Sequence, residues 1–176
     1  MGRGLFRPSK KITMPNPIVQ AKIRRILSHF KISQAPVPVE QIAEKMNIQI
    51  SYAPSSEYSG ILIRKEGGAL MGINSEESPG RRRFTIAHEL GHFFLEKSTV
   101  SIDYRDNGNR PDKTIHEKRA DEFAATLLMP RPFLIKDFKK ISDKESSIED
   151  VLARLVEKYQ VSKEAMMWRL KNLGLR

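Results

Sequence analysis

The chain has 176 residues, and its 31 lysines and arginines against 21 acidic residues give it a formal net charge of +10. This length is sufficient for one domain with its own hydrophobic core. Cysteine is absent, which excludes disulfides, cysteine–zinc sites and thiol nucleophiles, and no apolar run approaches the ~18 residues of a membrane span.

The N-terminus, MGRGLFRPSKKITM, is basic but lacks the apolar core of a signal peptide. We therefore expect a cytoplasmic protein with no membrane partner. The basic excess favours an acidic partner or nucleic acid, although a solvated basic surface is the commoner meaning of such a charge. We expect residues 1–15 to form a flexible basic tail and residues 16–176 to form a single domain.

The first half of this domain predicts two helices and a small sheet. Apolar residues at helical spacing predict a helix in PIVQAKIRRILSHF, and a second, short helix follows in VEQIAEKMN. IQISYA alternates like a strand, and SGILIRK and ALMGIN flank a Glu-Gly-Gly turn that is typical of a hairpin. The prediction is an antiparallel sheet of about three strands.

The second half of the domain predicts helices. Ser78 and Pro79 supply an N-cap and a first-turn proline, which predict a helix to about Leu95. The polar stretch KSTVSIDYRDNGNRPDK is expected to be a surface loop. HEKRADEFAATLLM predicts a helix that ends before Pro130, and three more helices are expected beyond it. The predicted fold class is therefore α+β, mostly helical with one small sheet.

The segment FTIAHELGHFF is apolar except for His88, Glu89 and His92. Side chains four residues apart share a helix face, with Cβ atoms roughly 5–6 Å apart, so the two histidines can direct nitrogens at one zinc ion. Glu89 projects beside that ion, where a carboxylate can take a proton from metal-bound water. The structural alternative is a core helix with two hydrogen-bonded histidines, but burying three unpaired polar groups costs on the order of several kcal/mol.

A zinc ion bound in this way needs a third protein ligand. Leu95 and Ser98 stand where the motif HExxHxxGxxH requires glycine and histidine, which excludes the metzincin class. The gluzincin alternative takes a glutamate from a later helix, and Glu117 meets that requirement. Asp121, four residues on, can accept the free N–H of a ligating imidazole and fix its tautomer.

Small residues surround these predicted ligands. Ala120 and Ala124 share a helix face with the third ligand, and Gly91 costs roughly 1 kcal/mol relative to alanine within a helix. Both features predict a close approach of the two helices that carry the site. His116 and Glu122 are the weaker candidates for the third ligand.

The segments RFTIAHELGH and EKRADEFAATLLMP resemble the paired motifs of the ImmA/IrrE family of metallopeptidases. The likeness extends to PVPVEQIAEKMNIQI, SGILIRK and YQVSKEAMMWRLKNLGL, and so covers residues 17–175. It implies a zincin-like domain that binds one zinc through His88, His92 and Glu117, with Glu89 as the catalytic base. Manganese or another divalent ion is also compatible with these ligands.

The same resemblance implies a substrate and a consequence. The expected reaction is limited proteolysis of a DNA-binding helix-turn-helix repressor, which derepresses mobile-element or stress-response genes. The sequence shows no fused repressor or sensor domain, so we expect a separate protein, or the supply of substrate, to regulate the activity. The residue that stabilises the oxyanion is open, with His116, Tyr104 and Arg83 as candidates. An exposed edge of the sheet could hold an extended substrate by strand addition.

Residues 151–174, VLARLVEKYQVSKEAMMWRLKNLG, have the pattern of a helix-turn-helix with Ser162 as N-cap of the second helix. Gln160 and Asn47 stand where a helix-ending glycine is common. This pattern supports the alternative function, a DNA-binding or protein-binding transcriptional regulator whose metal site is structural. The second helix offers few side chains suited to reading bases, so we favour packing on the core. The basic residues Arg81–Arg83 allow weak, non-specific contact with DNA, although a solvated cluster is the favoured interpretation.

Overall fold

The computed structural model describes residues 16–104, 114–145 and 147–175, so the predicted basic tail at 1–15 lies outside the described residues. The fold is α+β, as predicted. The elements in chain order are α1 Pro17–His29, α2 Val39–Lys45, β1 Ile48–Ala53, β2 Tyr58–Lys65, β3 Gly68–Asn74, α3 Pro79–Leu95, β4 Val100–Tyr104, α4 Ile115–Leu128, α5 Arg131–Ser142, α6 Ile148–Tyr159 and α7 Lys163–Asn172. Within the described ranges, none of the helices has the length and apolar character needed to cross a membrane.

The sheet differs from the prediction of about three antiparallel strands. Among the described residues it has four strands, in the order β1-β3-β2-β4. The hairpin of β2 and β3 forms as predicted, with Ile63 opposite Leu70, but β1 lies parallel to β3. The alternation of a strand predicts which face it buries but not which neighbour it pairs with, because that choice depends on contacts distant in sequence.

The fourth strand lies in the segment that the sequence predicted as a surface loop. Residues Val100–Tyr104 pair with β2 in antiparallel register, with Ile102 opposite Ile61. This strand is only five residues long and is flanked by polar residues, so its local pattern is weak. Its pairing with β2 outweighs that local preference. Residues 105–113 of the predicted loop lie outside the described residues.

Helix α3 contacts β2 and β3 of the sheet as well as α4. Its N-terminus is as predicted, since the Ser78 hydroxyl accepts a hydrogen bond from the Arg81 amide over 3.4 Å. The predicted close approach of the two helices is also found. A Cβ at Gly91 would lie 3.0 Å from the Cα of Ala120 and 3.2 Å from the Cβ of Phe123. Glycine therefore allows α4 to pack directly against the helix that carries the two histidines.

The last two helices form the predicted helix-turn-helix-like pair. Gln160 ends α6 in the left-handed conformation, with φ 54°, and Ser162 caps α7 by accepting a hydrogen bond from the Ala165 amide over 3.1 Å. Arg169 is buried and its Nε donates to the carbonyl of Met129 over 3.1 Å. The apolar side chains of the pair pack into the main core, among them Val151, Leu152, Leu155, Tyr159, Met166 and Leu170.

Candidate metal centre

Three predicted ligands meet where α3 and α4 pack together. His88 and His92 come from α3, and their Nε2 atoms lie 3.1 Å apart. Glu117 comes from the first turn of α4, with its Oε2 3.2 Å from His88 Nε2 and its Oε1 3.4 Å from His92 Nε2. One donor atom from each residue therefore reaches a common point.

These distances fit a tetrahedral divalent cation. Two ligand atoms at ~2.0–2.1 Å from a tetrahedral ion are separated by about 3.3 Å, close to the separations of 3.1, 3.2 and 3.4 Å seen here. Both histidines are almost completely buried, and two facing imidazole nitrogens cannot both carry protons at this distance. The set of donors, two imidazoles and one carboxylate, is one that zinc commonly takes.

Each histidine has a carboxylate behind its other ring nitrogen. The Nδ1 of His88 lies 3.0 Å from Asp121 Oδ1, which is the position predicted for Asp121. The Nδ1 of His92 lies 3.1 Å from Glu96 Oε1, and that oxygen also lies 3.2 Å from His116 Nδ1. The hydrogen bond of His88 with Asp121 favours the tautomer with its proton on Nδ1 and leaves Nε2 free to bind metal. At His92 the carboxylate of Glu96 lies at ion-pair distance but without hydrogen-bond geometry, and its charge likewise favours a proton on Nδ1.

Sequence reasoning missed Glu96, although one signal was available. Glu96 follows His92 by four residues, the spacing at which side chains on a helix meet. The weaker ligand candidates lie outside the triangle of donor atoms. His116 is largely exposed and contacts Glu96, and Glu122 accepts a hydrogen bond from the Asn16 amide.

The protein groups alone shift the pKa values in this site strongly. Burial lowers the pKa of His88, but the neighbouring carboxylates of Asp121 and Glu117 together outweigh it and raise this pKa to about 10. Hydrogen bonds from His88 and His92 hold the pKa of Glu117 well below its usual range. A proton is thus retained where a cation would bind, as expected of a site whose charges are arranged for a positive ion.

Glu89 lies beside the triangle and is completely buried. Its Oε2 accepts a hydrogen bond from the Ser101 hydroxyl over 2.8 Å, while its Oε1 has no hydrogen-bond partner among the described residues. Burial raises the pKa of Glu89 to about 7, against the opposing influence of His88 and Ser101. A buried carboxylate with one open oxygen and a pKa near neutrality is suited to take up and release a proton.

Two residues around Glu89 were not predicted from the sequence. Ser101 belongs to β4, the strand that the sequence did not indicate. A Cβ at Gly60 would lie 2.4 Å from Thr85 Cγ2 and 2.8 Å from Glu89 Oε1, so only glycine allows β2 to pass this close. Neither residue carries a recognisable local motif, because their roles arise from contacts between the sheet and α3.

The basic residues before the motif do not form one solvated cluster. The Arg83 Nη2 donates to the Val37 carbonyl over 2.8 Å and its Nη1 lies 3.3 Å from Glu40 Oε2, so Arg83 joins α3 to α2. Arg81 instead lies 3.5 Å from the buried carboxylate of Asp103. Arg83 is one of the three candidates for oxyanion stabilisation, but its guanidinium binds Val37 and Glu40 instead of facing the metal ligands.

The site has the composition of a metallopeptidase-type centre. One helix supplies two histidines four residues apart with a glutamate between them, and a second helix supplies a carboxylate. Residues 43–171 match the model of a peptidase family described as the IrrE N-terminal-like domain. The chain belongs to this family.

One sequence relative and one solved structure are similar to this chain. The chain is 32% identical over 101 residues to the radiation response metalloprotease IrrE of Deinococcus radiodurans, which covers 56% of this chain but 29% of that protein. Its fold is similar to that of a Mycobacterium tuberculosis transcriptional regulator, with a TM-score of 0.58 and 16% identity over 88% of this chain and 47% of that one. The chain thus spans less than half the length of either relative, and the second likeness concerns the fold alone.

Proposed function

We propose that the protein is a zinc-dependent endopeptidase that cleaves a DNA-binding helix-turn-helix repressor at a specific site and so derepresses mobile-element or stress-response genes. The observation that carries the proposal is the triangle of His88, His92 and Glu117 with Glu89 beside it. Membership of a peptidase family supports the chemistry, and the metalloprotease named for a radiation response supports the regulatory role.

The side chains divide the work of peptide hydrolysis. His88, His92 and Glu117 would hold the cation, with Asp121 fixing the tautomer of His88. A divalent cation bound there would polarise the scissile carbonyl and acidify the attacking water. Glu89 takes the proton from that water and passes it to the leaving amine. The Ser101 hydroxyl holds one oxygen of Glu89, so the other oxygen is the one that moves the proton.

The sheet supports an extended peptide as substrate. Strand β4 lies at the edge of the sheet, and among the described residues its outer side pairs with no other strand. Its Ser101 touches Glu89, so a peptide added alongside β4 would pass next to the catalytic carboxylate. Strand addition supplies main-chain hydrogen bonds that do not depend on the peptide's side chains, which suits cleavage within a chain.

The alternative, a transcriptional regulator with a structural metal site, takes its support from the pair of α6 and α7. In α7, Arg169 is buried and donates to the carbonyl of Met129, so the one arginine of this helix is not available to contact DNA. The exposed residues of α7 include no arginine, asparagine or glutamine for base readout; they are Lys163, Glu164, Met167, Trp168 and Lys171. Peptide hydrolysis therefore remains the better-supported proposal.

The test is digestion of candidate repressors by the purified, zinc-loaded protein. Helix-turn-helix proteins encoded beside this gene are incubated with it in parallel with unfolded casein and with a chelator control. We expect a single cleavage in one repressor, its loss with the chelator and little digestion of casein. Broad digestion of casein would contradict site-specific proteolysis, and intact substrates throughout would contradict peptidase activity.

A further inference from the structure

Arg64 on β2 binds the C-terminal end of the helix that carries the two histidines. Its Nη2 donates to the carbonyls of His92, Phe93 and Glu96 over 3.1, 2.6 and 2.8 Å, and its Nε donates to the carbonyl of Ser98 over 2.9 Å. The guanidinium also lies over the ring of Phe93, 4.6 Å from its centroid. Among the described residues, no carboxylate forms an ion pair with Arg64, so its donors are directed at backbone.

The end of α3 requires such a partner. The last carbonyls of a helix have no N–H donor within the helix, and many helices end in a left-handed residue that satisfies some of them, as α6 does at Gln160. Helix α3 instead leaves directly into extended backbone at Glu96, with φ −125° and ψ 166°. The guanidinium of Arg64 supplies the missing donors, and its positive charge is favourable at a helix C-terminus.

The residues held in this way are those that orient one metal ligand. His92 provides Nε2 to the triangle of donor atoms, and Glu96 places its carboxylate 3.1 Å from His92 Nδ1. Arg64 binds the carbonyls of both residues. Any shift of the helix end would therefore move the imidazole and the carboxylate behind it relative to each other.

We infer that Arg64 is a positioning residue for the metal centre: its guanidinium fixes the end of α3 so that Glu96 holds the imidazole of His92 in the orientation that binds metal. The inference rests on the proposed function, since it takes His92 as a metal ligand. Planarity is essential to the role, because a planar fork can serve several carbonyls and stack on an aromatic ring at once. A lysine ammonium would keep the charge without this geometry.

Cobalt(II) binding tests the inference, because cobalt replaces zinc in such sites and its visible absorption reports coordination geometry. The full chain is compared with Arg64→Met, Arg64→Lys and Arg169→Met. The last is the matched control, since Arg169, although more buried than Arg64, also donates to a backbone carbonyl at a helix end, that of Met129 at the end of α4 away from the ligands. Melting temperatures without metal are recorded for all four proteins.

We expect Arg64→Met to weaken cobalt affinity by about 10- to 100-fold, the usual effect of losing support behind a ligand, and to change the visible spectrum. Arg64→Lys should recover only part of the affinity, while Arg169→Met should keep both affinity and spectrum even where its melting temperature falls as far.

Three results would overturn the inference alone: unchanged affinity and spectrum in Arg64→Met, an equal loss of affinity in Arg169→Met, or failure of both Arg64 variants to fold, which would assign Arg64 to folding only. An unaltered chain that binds no cobalt would overturn the proposed function itself, and the inference with it.

Discussion

The pair α3 and α4 and the pair α6 and α7 both pack on the same core. They differ in the polar side chains that they bury. The first pair buries His88, Glu89 and His92 at distances that only an added cation would fully satisfy. The second pair buries mainly apolar side chains, and its buried Arg169 donates through Nε to the carbonyl of Met129, while its Nη2 has no hydrogen-bond partner among the described residues. Among the described residues, the first pair brings the donor atoms of His88, His92 and Glu117 together at one place, whereas the second pair buries one isolated guanidinium. Buried polar groups are ordinarily hydrogen-bonded, so the converging set is the stronger indication of a functional site.

The largest expected effect lies on Glu89. Glu89→Gln should bind metal normally yet cleave the proposed repressor substrate about 10²–10⁴-fold more slowly, since a positioned proton-transfer group usually contributes this much. Trp168→Ala on the exposed face of α7 should cleave within about twofold of the unaltered chain, since surface changes away from a site rarely matter. Rates of repressor cleavage by the two variants check both expectations. Equal rates in Glu89→Gln and the unaltered chain would remove Glu89 from the mechanism.

The melting temperature at alkaline pH shows whether the Glu89→Gln variant is correctly folded. Burial raises the pKa of Glu89 to about 7, above the ordinary value for a glutamate, so the ionised side chain disfavours the folded state as the pH rises through 7. Neutral glutamine avoids that cost. Stripped of metal at pH 8, the variant should therefore melt at or above the temperature of the unaltered chain, whereas a clearly lower melting temperature would point to misfolding.

The next largest effect concerns the carboxylate behind His88. Asp121→Ala should lower zinc affinity by about 10- to 100-fold, because the imidazole loses the partner that fixes its tautomer. Lys163→Ala at the start of α7 serves as the control and should leave the affinity unchanged. Competition with a chromophoric chelator measures both. An affinity of Asp121→Ala within twofold of the unaltered chain would show that Asp121 does not support the ligand.

Metal affinity should also depend on pH in a definite direction. The carboxylates of Asp121 and Glu117 outweigh burial and raise the pKa of His88 to about 10, so this histidine is protonated at neutral pH until metal displaces the proton. Affinity should therefore rise by about tenfold per pH unit for each proton released, between about pH 6.5 and 8.5. Titrations at several pH values check the slope, and a flat profile would show that His88 releases no proton on binding.

The smallest expected effect is the difference in the protein's affinity for different DNA sequences. Basic residues should give weak binding that falls steeply with salt, because each neutralised phosphate releases counterions. A transcription factor instead prefers its site by about a thousandfold or more. Titrations of random and upstream-region duplexes at two salt concentrations separate the cases. A strong preference for one duplex that the Glu89→Gln variant retains would favour sequence-specific DNA binding by α6 and α7 over peptide hydrolysis as the main function.

Local sequence patterns predicted much of the fold and most of the candidate site. The ends of α3 were predicted from Ser78, Pro79 and the apolar period, and the spacing within the histidine motif indicated which side chains share a face. Glu117 lies 29 positions after His88 in the sequence. The need for a third ligand and the spacing of Glu117 to Asp121 on a later helix indicated it as the partner, and the resemblance to the metallopeptidase family implied the same residue.

The features that escaped prediction all depend on tertiary contacts. Strand β4 exists through its pairing with β2, and Ser101 reaches Glu89 only because that pairing forms. The sequence identifies Arg64 only as a residue of a predicted strand, because the carbonyls that it binds at the end of α3 are distant in sequence. Periodicity and capping describe a segment by itself, so they cannot identify which distant backbone or carboxylate a side chain will meet.

If the buried polar groups of α3 and α4 form a metal centre, the protein retains a divalent cation through them. Elemental analysis of protein loaded with zinc and then freed of excess ion tests it directly, with the His88→Ala/His92→Ala variant alongside. The account predicts one zinc per unaltered chain and less than about a tenth as much in the variant, since a single carboxylate does not retain the ion. Equal metal contents in the two proteins would contradict it.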